Sequence, residues 1–273
     1  MTTTVRELPV PPFDLPLICR QTGIRHVEYH ETLESTNRLA VSLLKPLLEV
    51  APALVLTANQ TAGRGRGSNQ WWSTAGALTF SIVLDAESMD LPVERRAMIS
   101  LLTGLAVRNA VAPLVPNRTT AIKWPNDVLV GEQKICGILA EQHNAGDRCG
   151  VIIGIGVNVN NSLSPAPMEV RQRAASVFDL TGQHQDLTAV LIAIVAELTS
   201  LKQRLSRSPA AVLSEANAAS ILNGRELVLQ TGDRQHAGTC RGIDEDGALV
   251  LETAAGTIQR FSGGSVVTWQ AER

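Results

Sequence analysis

Apolar and polar residues alternate one by one in IRHVEYHE (24–31), and that period of two predicts a strand. In STNRLAVSLL (35–44) the apolar spacing changes to three and four behind a capping Ser-Thr-Asn, which predicts a helix. ALVLTANQ (53–60) and ALTFSIVL (77–84) read as two apolar strands separated by a Gly/Arg-rich loop. The longest helical pattern is VERRAMISLLTGLAVRNAVAPL (93–114), with its stripe at Ile99, Leu102, Leu105 and Ala106. Three strand-like runs then crowd together: TAIKW (120–124), DVLVGEQKICGILAEQ (127–142) and CGVIIGIGVNVN (149–160). Hairpin turns are expected at 131–133 and at Gly146-Asp147. Consecutive hairpins predict an α+β fold, a mixed and largely antiparallel sheet with helices packed on it. LTAVLIAIVAELTSLKQRL (187–205) is a strongly amphipathic helix, and a shorter one covers 209–220.

The pattern changes near residue 221. RELVLQ, RQHAGTCRGID, GALVLET and GTIQRF are short strands cut by Gly and Asp turns, and they predict a small β-barrel. At the other end, the proline-bearing first 12 residues read as a loose arm, and FDLPLICRQTG as a short helix stopped by Gly23. The expected organisation is therefore arm and helix at 1–23, a main domain at 24–220 and a barrel at 221–273.

Composition narrows the function classes. A content of 44% hydrophobic and 18% charged residues belongs to a globular protein rather than a disordered one. A net charge of -2 argues against broad nucleic-acid binding, which needs a basic surface. Cys19, Cys136, Cys149 and Cys240 have no metal-like or redox spacing and read as reduced thiols of a cytoplasmic protein. No leader and no apolar run near the ~20 residues of a membrane helix is seen, so no membrane partner is expected. A DNA-binding domain would need more chain ahead of the first strand, and none is expected. With only 4 Trp, 4 Phe and 1 Tyr in the chain, the pair Trp71-Trp72 in a polar loop stands out.

Four stretches carry candidate chemistry. QTAGRGRGSNQWW (60–72) combines glycines, which let backbone approach a ligand, with Arg64 and Arg66, whose forked donors suit carboxylate or phosphate. It is not a P-loop, since no GxxxxGK[ST] occurs there. KWPNDVLV (123–130) reads by itself as a polar turn between strands, yet Lys123 and Asp127 bracket it with a cation and a carboxylate able to face Mg²⁺. KICGILAE (134–141) opens with Lys134, by itself a solvated strand-end lysine, and Gly137 permits close approach to the strand. GIGVNVN (154–160) lacks the third glycine and the helix of a dinucleotide fingerprint; its glycines make room for a flat ligand.

The order STN, QTAGRGRG with its tryptophan, KWPND, KICGILAE and GIGVNVN resembles that of the biotin protein ligases over about residues 30–160. RGIDEDGALVLE and GTIQRFSGGSV are similar to the family's small terminal barrel, of SH3-like type. The resemblance implies a catalytic fold like that of class II synthetases. It implies that biotin and MgATP give biotinyl-5′-adenylate, which acylates a lysine on a biotin carboxyl carrier domain of acetyl-CoA carboxylase or a related carboxylase.

Carried over block by block, Ser35 and Thr36, with Asn37 beside them and Gln60, would hold biotin's ureido ring. Gly63, Arg64 and Arg66 would wrap the activated carboxyl and phosphate, with Trp71 as cover. Lys134 would contact carboxylate and α-phosphate as the main electrostatic catalyst, aided by Arg64 and Arg66, while Gly137, Ile138, Gly154 and Gly156 line biotin. Lys123, Asn126, Asp127, Asn158 and, from the barrel, Arg241 would serve the nucleotide alongside Arg66 and Trp71, with Asp127 facing Mg²⁺.

Two features depart from the usual pattern: Gly-Ser-Asn-Gln follows GRGR where many relatives are more basic, and Cys136 stands where alanine is more usual. Sheet edges of this fold could pair two subunits. The competing readings are a lipoate–protein ligase, which the GRGR…W loop and the terminal barrel disfavour, and a non-enzymatic RNA- or nucleotide-binding module, which the acidic net charge disfavours.

Overall fold

Asp14 starts the first helix, α1 (Leu15–Thr22), by accepting from Leu17 N, and Gly23 ends it at φ 72°. The computed structural model describes residues 12–89 and 97–270. The arm expected over 1–12 and the start of the helix expected from 93 lie largely outside them. In chain order there follow β1 (His26–Leu33), α2 (Thr36–Ser42), α3 (Leu44–Glu49), β2 (Ala53–Gln60), β3 (Gly63–Arg64), β4 (Gln70–Trp71), β5 (Leu78–Asp85), α4 (Ala97–Val111), β6 (Thr120–Lys123), β7 (Asp127–Val130), β8 (Gln133–Ala145) and β9 (Arg148–Val157). Then come α5 (Met168–Arg171), α6 (Val177–Thr181), α7 (Leu187–Arg207) and α8 (Pro209–Ala218). The helix expected at 35–44 is α2, and a second short helix, α3, follows it directly. Ser42 ends α2 and Leu44 opens α3, whose Pro46 sits in the first turn, where no backbone donor is needed.

The main sheet has the strand order β1-β2-β5-β9-β8-β7-β6. Only its β1–β2 pair is parallel; the other pairs are antiparallel. The expected mixed, largely antiparallel α+β layout is thus present. Strand alternation divides the sheet into two faces. Leu54, Leu56, Phe80, Ile82, Ile153 and Ile155 join the core under α1, α4 and α7. Their neighbours Ala53, Val55, Val83 and Ile152 turn the other way, onto Leu44, Leu47 and Leu48. Two of the α7 anchors, Leu191 and Ile194, are fully buried, each contributing about 1.5–3 kcal/mol relative to exposure.

Further along that second face the apolar cover stops. Gly137 of β8 pairs with Gly156 of β9, and Leu139 with Gly154. Two adjacent strands therefore present bare backbone instead of side chains, and this shallow floor is where the site lies.

The C-terminal part adds β10 (Glu226–Thr231), β11 (Arg234–Ile243), β12 (Leu249–Glu252), β13 (Ile258–Phe261) and β14 (Ser265–Trp269). They form an antiparallel sheet of order β13-β12-β11-β10-β14, with irregular register after Val228 and after Cys240. The expected SH3-like barrel is realised as a sheet with two edges, β13 and β14, rather than as a ring closed by hydrogen bonds. Its inner residues Leu227, Leu229, Leu249 and Leu251 share one core with Leu101 and Leu105 of α4, Leu201 of α7 and Val212 of α8. Buried Trp124 ties the two sheets together by donating from Nε1 to Gly247 O at 3.0 Å. That contact fixes the strand carrying KWPND against the C-terminal sheet. Among the described residues no helix is long and apolar enough to cross a membrane.

Candidate active site

The bare floor opens into a cleft of about 980 Å³, at the upper end of the volumes that hold small-molecule ligands. Ser35, Thr36 and Asn37 reach it from the start of α2 and are almost fully buried. Ser35 caps the helix by accepting from Arg38 N, which leaves its own proton to donate. Thr36 N, one of the helix's orphan donors, is satisfied by Gln60 Oε1 at 2.9 Å. With Oε1 so occupied, the other end of the Gln60 amide, Nε2, lies against Gly63, 2.6 Å from where a Cβ would stand. Asn37 bonds to two strands: its Oδ1 meets Ser81 Oγ of β5 at 2.6 Å, and its Nδ2 donates to Leu139 O and to Glu141 Oε2 of β8.

The Gly/Arg segment is a small hairpin rather than a free loop. Gly63 pairs with Trp71 and Arg64 with Gln70. Gly65 N donates to Asn69 O at 2.8 Å, and Gly67 supplies φ 60° at the tip. Gly63 has to be glycine, because a Cβ there would come within 2.4 Å of Trp71 O. The hairpin lays the Trp71 indole flat on the glycine floor. A Cβ on Gly156 would lie 2.5 Å from Trp71 Cε2, and one on Gly137 3.3 Å from Cζ3. The indole Nε1 is buried without a hydrogen-bond partner, an unusual arrangement for a buried donor. The hairpin is anchored at two points, Arg66 Nη1 to Gly264 O at 2.9 Å and Arg64 Nη2 to Glu141 Oε1 at 3.3 Å.

Cations gather beside the floor and along the adjoining wall: Lys134 Nζ would stand 3.1 Å from a Cβ on Gly137 and lies 5.9 Å from the Trp71 ring centre. Lys134 Nζ lies 2.7 Å from Asp127 Oδ1, so this lysine is partly exposed but ion-paired. Lys123 sits over the Trp269 ring at 4.0 Å. Burial lowers the Lys123 pKa, the charges of Lys134 and Arg173 add to that, and Asp127 opposes it. Burial likewise lowers that of Arg66, again against the pull of Asp127. Gathered like-charged groups on one wall form a site for an anion with several negative charges.

One expected ligand contact sits elsewhere, and others line the cleft while also serving neighbouring structure. Arg241 does not line this cleft; it pairs with Glu252 at 2.5 Å and lines a separate groove of the C-terminal sheet. The cause is strand alternation, which turns Arg241 away while Cys240 points into the core. Ile138 turns its side chain into the core towards Gly104 of α4, and only its backbone reaches the cleft. Gly154 makes room for Asn37, since a Cβ there would lie 2.2 Å from Asn37 Oδ1. Asn126 stitches the KWPND turn to β8 by donating to Ile138 O at 2.7 Å. Asn158 is almost fully buried at the cleft wall and accepts from Asn161 Nδ2 at 3.0 Å.

Other residues reach the site without a motif to announce them. Trp269 and Arg173 line the cleft from distant segments. Ser81 supports it from beneath, and Glu141, last residue of KICGILAE, was visible in sequence but not singled out. Among the described residues no three His, Cys, Asp or Glu side chains stand close enough to hold a metal. Asp127, already facing Lys134, fits Mg²⁺ only as a single ligand to an ion delivered with phosphates, the way Mg²⁺ commonly binds.

Cys136 is fully buried beside this wall, and burial pushes its thiol far above the usual range. It is a packing residue with almost no thiolate. In the native protein at neutral pH, iodoacetamide should label Cys19 and Cys149 and spare Cys136 and Cys240, all four reacting in denaturant. Mass mapping of the alkylated peptides checks this.

Residues 29–158 match the Biotin/lipoate A/B protein ligase family, and residues 224–269 match the Biotin protein ligase C terminal domain. The chain is 34% identical over 248 residues to the Bifunctional ligase/repressor BirA of Bacillus subtilis, covering 87% of this chain and 73% of that protein. It is 31% identical over 254 residues to the Biotin--[acetyl-CoA-carboxylase] ligase of Mycobacterium tuberculosis, covering 92% of each. Its fold is similar to that of a biotin protein ligase from Aquifex aeolicus solved in complex with biotin and ATP. The TM-score is 0.75 and the identity 25%, over 91% of this chain and all of that one.

Proposed function

This chain belongs to the biotin protein ligase family, and from that premise we propose that it joins biotin to the α-phosphate of MgATP as biotinyl-5′-adenylate and then passes biotin to a lysine of a biotin carboxyl carrier domain. The chemistry has two demands. A neutral bicyclic urea must be recognised, and a carboxylate must be brought against a polyphosphate that repels it. The observation that carries the reading is the polar corner made by Ser35, Thr36 and Gln60 beside a glycine floor. It combines donors and an acceptor at one end of an apolar slot, which suits a urea and not the dithiolane of lipoate.

In the first step the carboxylate of biotin lies toward Lys134, whose charge also faces the α-phosphate. Lys123, Arg66 and Arg173 offset the charge of the departing pyrophosphate. Mg²⁺, bound through the phosphates of ATP, supplies further neutralisation. The carboxylate oxygen attacks phosphorus and pyrophosphate leaves. In the second step the amine of the carrier lysine attacks the acyl carbon and AMP leaves. The mixed anhydride must be kept from water between the steps. The hairpin with Trp71 serves as its cover, and ligand entry displaces the indole from the glycine floor. Ligation alone is proposed; a chain of net charge -2 offers no broad basic surface for DNA. The test is pyrophosphate release from MgATP. Release that depends on biotin supports the reading, and release stimulated equally by lipoate contradicts it.

Arg66 fastens the hairpin to the C-terminal sheet. Arg66→Gly removes the tether and adds backbone freedom, so the adenylate should escape sooner, raising free biotinyl-adenylate by roughly tenfold or more, in line with a loosened lid. Chromatography of the reaction supernatant reads this; a level no higher than that of the parent enzyme counts against the tether.

A further inference from the structure

One strand of the C-terminal sheet runs along the cleft. Ser265, Val266, Val267, Thr268 and Trp269 of β14 all line it. Gly264, just before the strand, accepts from Arg66 of the hairpin at 2.9 Å, and Trp269, at its far end, meets Lys123. The Lys123 ammonium stands 4.0 Å from the centre of the Trp269 ring. That is well inside the ~6 Å reach of a cation–π contact, for which tryptophan is the strongest partner. The backbone fixes the ring in place: Trp269 pairs with Leu227 of β10, and Gln270 N donates to Glu226 O at 3.0 Å.

Lys123 is otherwise poorly provided with opposite charge. Among the described residues its Nζ has no hydrogen-bond or ion-pair partner. Burial disfavours its charge, and Lys134 and Arg173 repel it. Asp127 attracts it, but that carboxylate is itself held by Lys134 at 2.7 Å. A long flexible lysine so placed would swing out to water unless something drew it inward. The face of the Trp269 ring is negative and attracts the ammonium, yet the ring carries no net charge. A carboxylate in its place would cancel the charge that this wall has to offer an anion. The ring holds the lysine and leaves its positive charge to the cleft. Trp124, the next residue, is buried in the core shared with the same sheet and donates to Gly247 O, so both side chains of the Lys123-Trp124 pair are fastened there.

We infer that Trp269 is a positioning residue for ATP: acting through Lys123, it holds an unneutralised cation against the β- and γ-phosphate end of the nucleotide. This role rests on the functional reading above and gives the C-terminal sheet a part in it, one expected of Arg241 and taken by an aromatic ring instead.

The experiment is calorimetric titration of the full chain, with biotin and Mg²⁺ present, with α,β-methylene-ATP, whose bridging carbon blocks loss of pyrophosphate. Trp269→Leu keeps apolar bulk and removes the ring face. It should weaken the analogue by about tenfold, the size of a largely desolvated cation–π contact. AMP, which lacks the far phosphates, should bind this variant as it binds the parent. Trp269→Phe keeps a weaker face and should recover affinity to within about threefold of the parent. In a Lys123→Met background Trp269→Leu should cost nothing further, because the two side chains act as a pair. An equal loss for AMP would mean that the ring touches the nucleoside, and overturns the role. Parental affinity in Trp269→Leu overturns it too, as does a loss that persists without Lys123. If Trp269→Leu does not fold, Trp269→Phe replaces it in the cycle, with a cost of about two- to threefold expected beside Lys123 and none beside Met. A parent chain that binds the analogue yet releases no pyrophosphate from MgATP with biotin contradicts the functional reading and leaves the Trp269 result standing.

Discussion

Lys134→Ala should lose adenylate formation by about 10²–10³-fold, the range typical for removing one group aimed at developing transition-state charge, while remaining folded. In the proposed reaction two anions have to meet beside the glycine floor, where Lys134 Nζ would stand 3.1 Å from a Cβ on Gly137. Of the cations there, Lys134 is the one held against a carboxylate at 2.7 Å, that of Asp127. Burial depresses both Arg66 and Lys123, which in the proposed reaction face the far side of the nucleotide. Asp127 loses its ion partner in the variant, so some stability goes as well. Thermal unfolding separates this from the chemical loss, and single-turnover pyrophosphate release measures the chemistry. An unchanged rate would mean that the reaction is driven by other cations on the wall.

Gly156→Val should abolish biotin binding, by more than about 10²-fold, and yet cost little stability. The new Cβ would stand 2.5 Å from the Trp71 indole, which can swing away with its hairpin. The slot itself stays filled by the valine, which no ligand can displace. Gly154→Ala, two residues earlier on the same face, should behave differently. Its Cβ meets Asn37 Oδ1 at 2.2 Å, and that amide is pinned by Ser81, Leu139 and Glu141. Overpacking against a fixed neighbour costs about 1–3 kcal/mol. Calorimetry for biotin and thermal melts on both variants give the comparison. Equal melting temperatures for the two would contradict the distinction between a movable indole and a pinned amide.

What the sequence made legible follows from local physics. Period-two runs around Gly131 and Gly146 placed β7, β8 and β9 within a few residues, because hairpins are written in adjacent residues. The break between α2 and α3 was not visible, since SLLKPLLE keeps helical spacing across Leu43. The hairpin of β3 and β4 was missed because two-residue strands carry no period. At the site, the motif residues Ser35, Thr36, Gln60, Lys123 and Lys134 do come together. Their alternation parity decides the exceptions: Ile138 and Arg241 lie in motif-like strands but on the wrong face. Trp269 and Arg173 reach the cleft through tertiary packing alone, and Ser81 supports it from beneath through its bond to Asn37.

The central claim is that the polar corner and the cation wall together make a biotin-specific ligase. Its most direct test is mass spectrometry of a biotin carboxyl carrier domain incubated with the full chain and MgATP, with biotin in one arm and lipoate in the other. One lysine should gain a single biotinyl group, with no lipoyl adduct. Transfer of lipoate without biotin would contradict the claim.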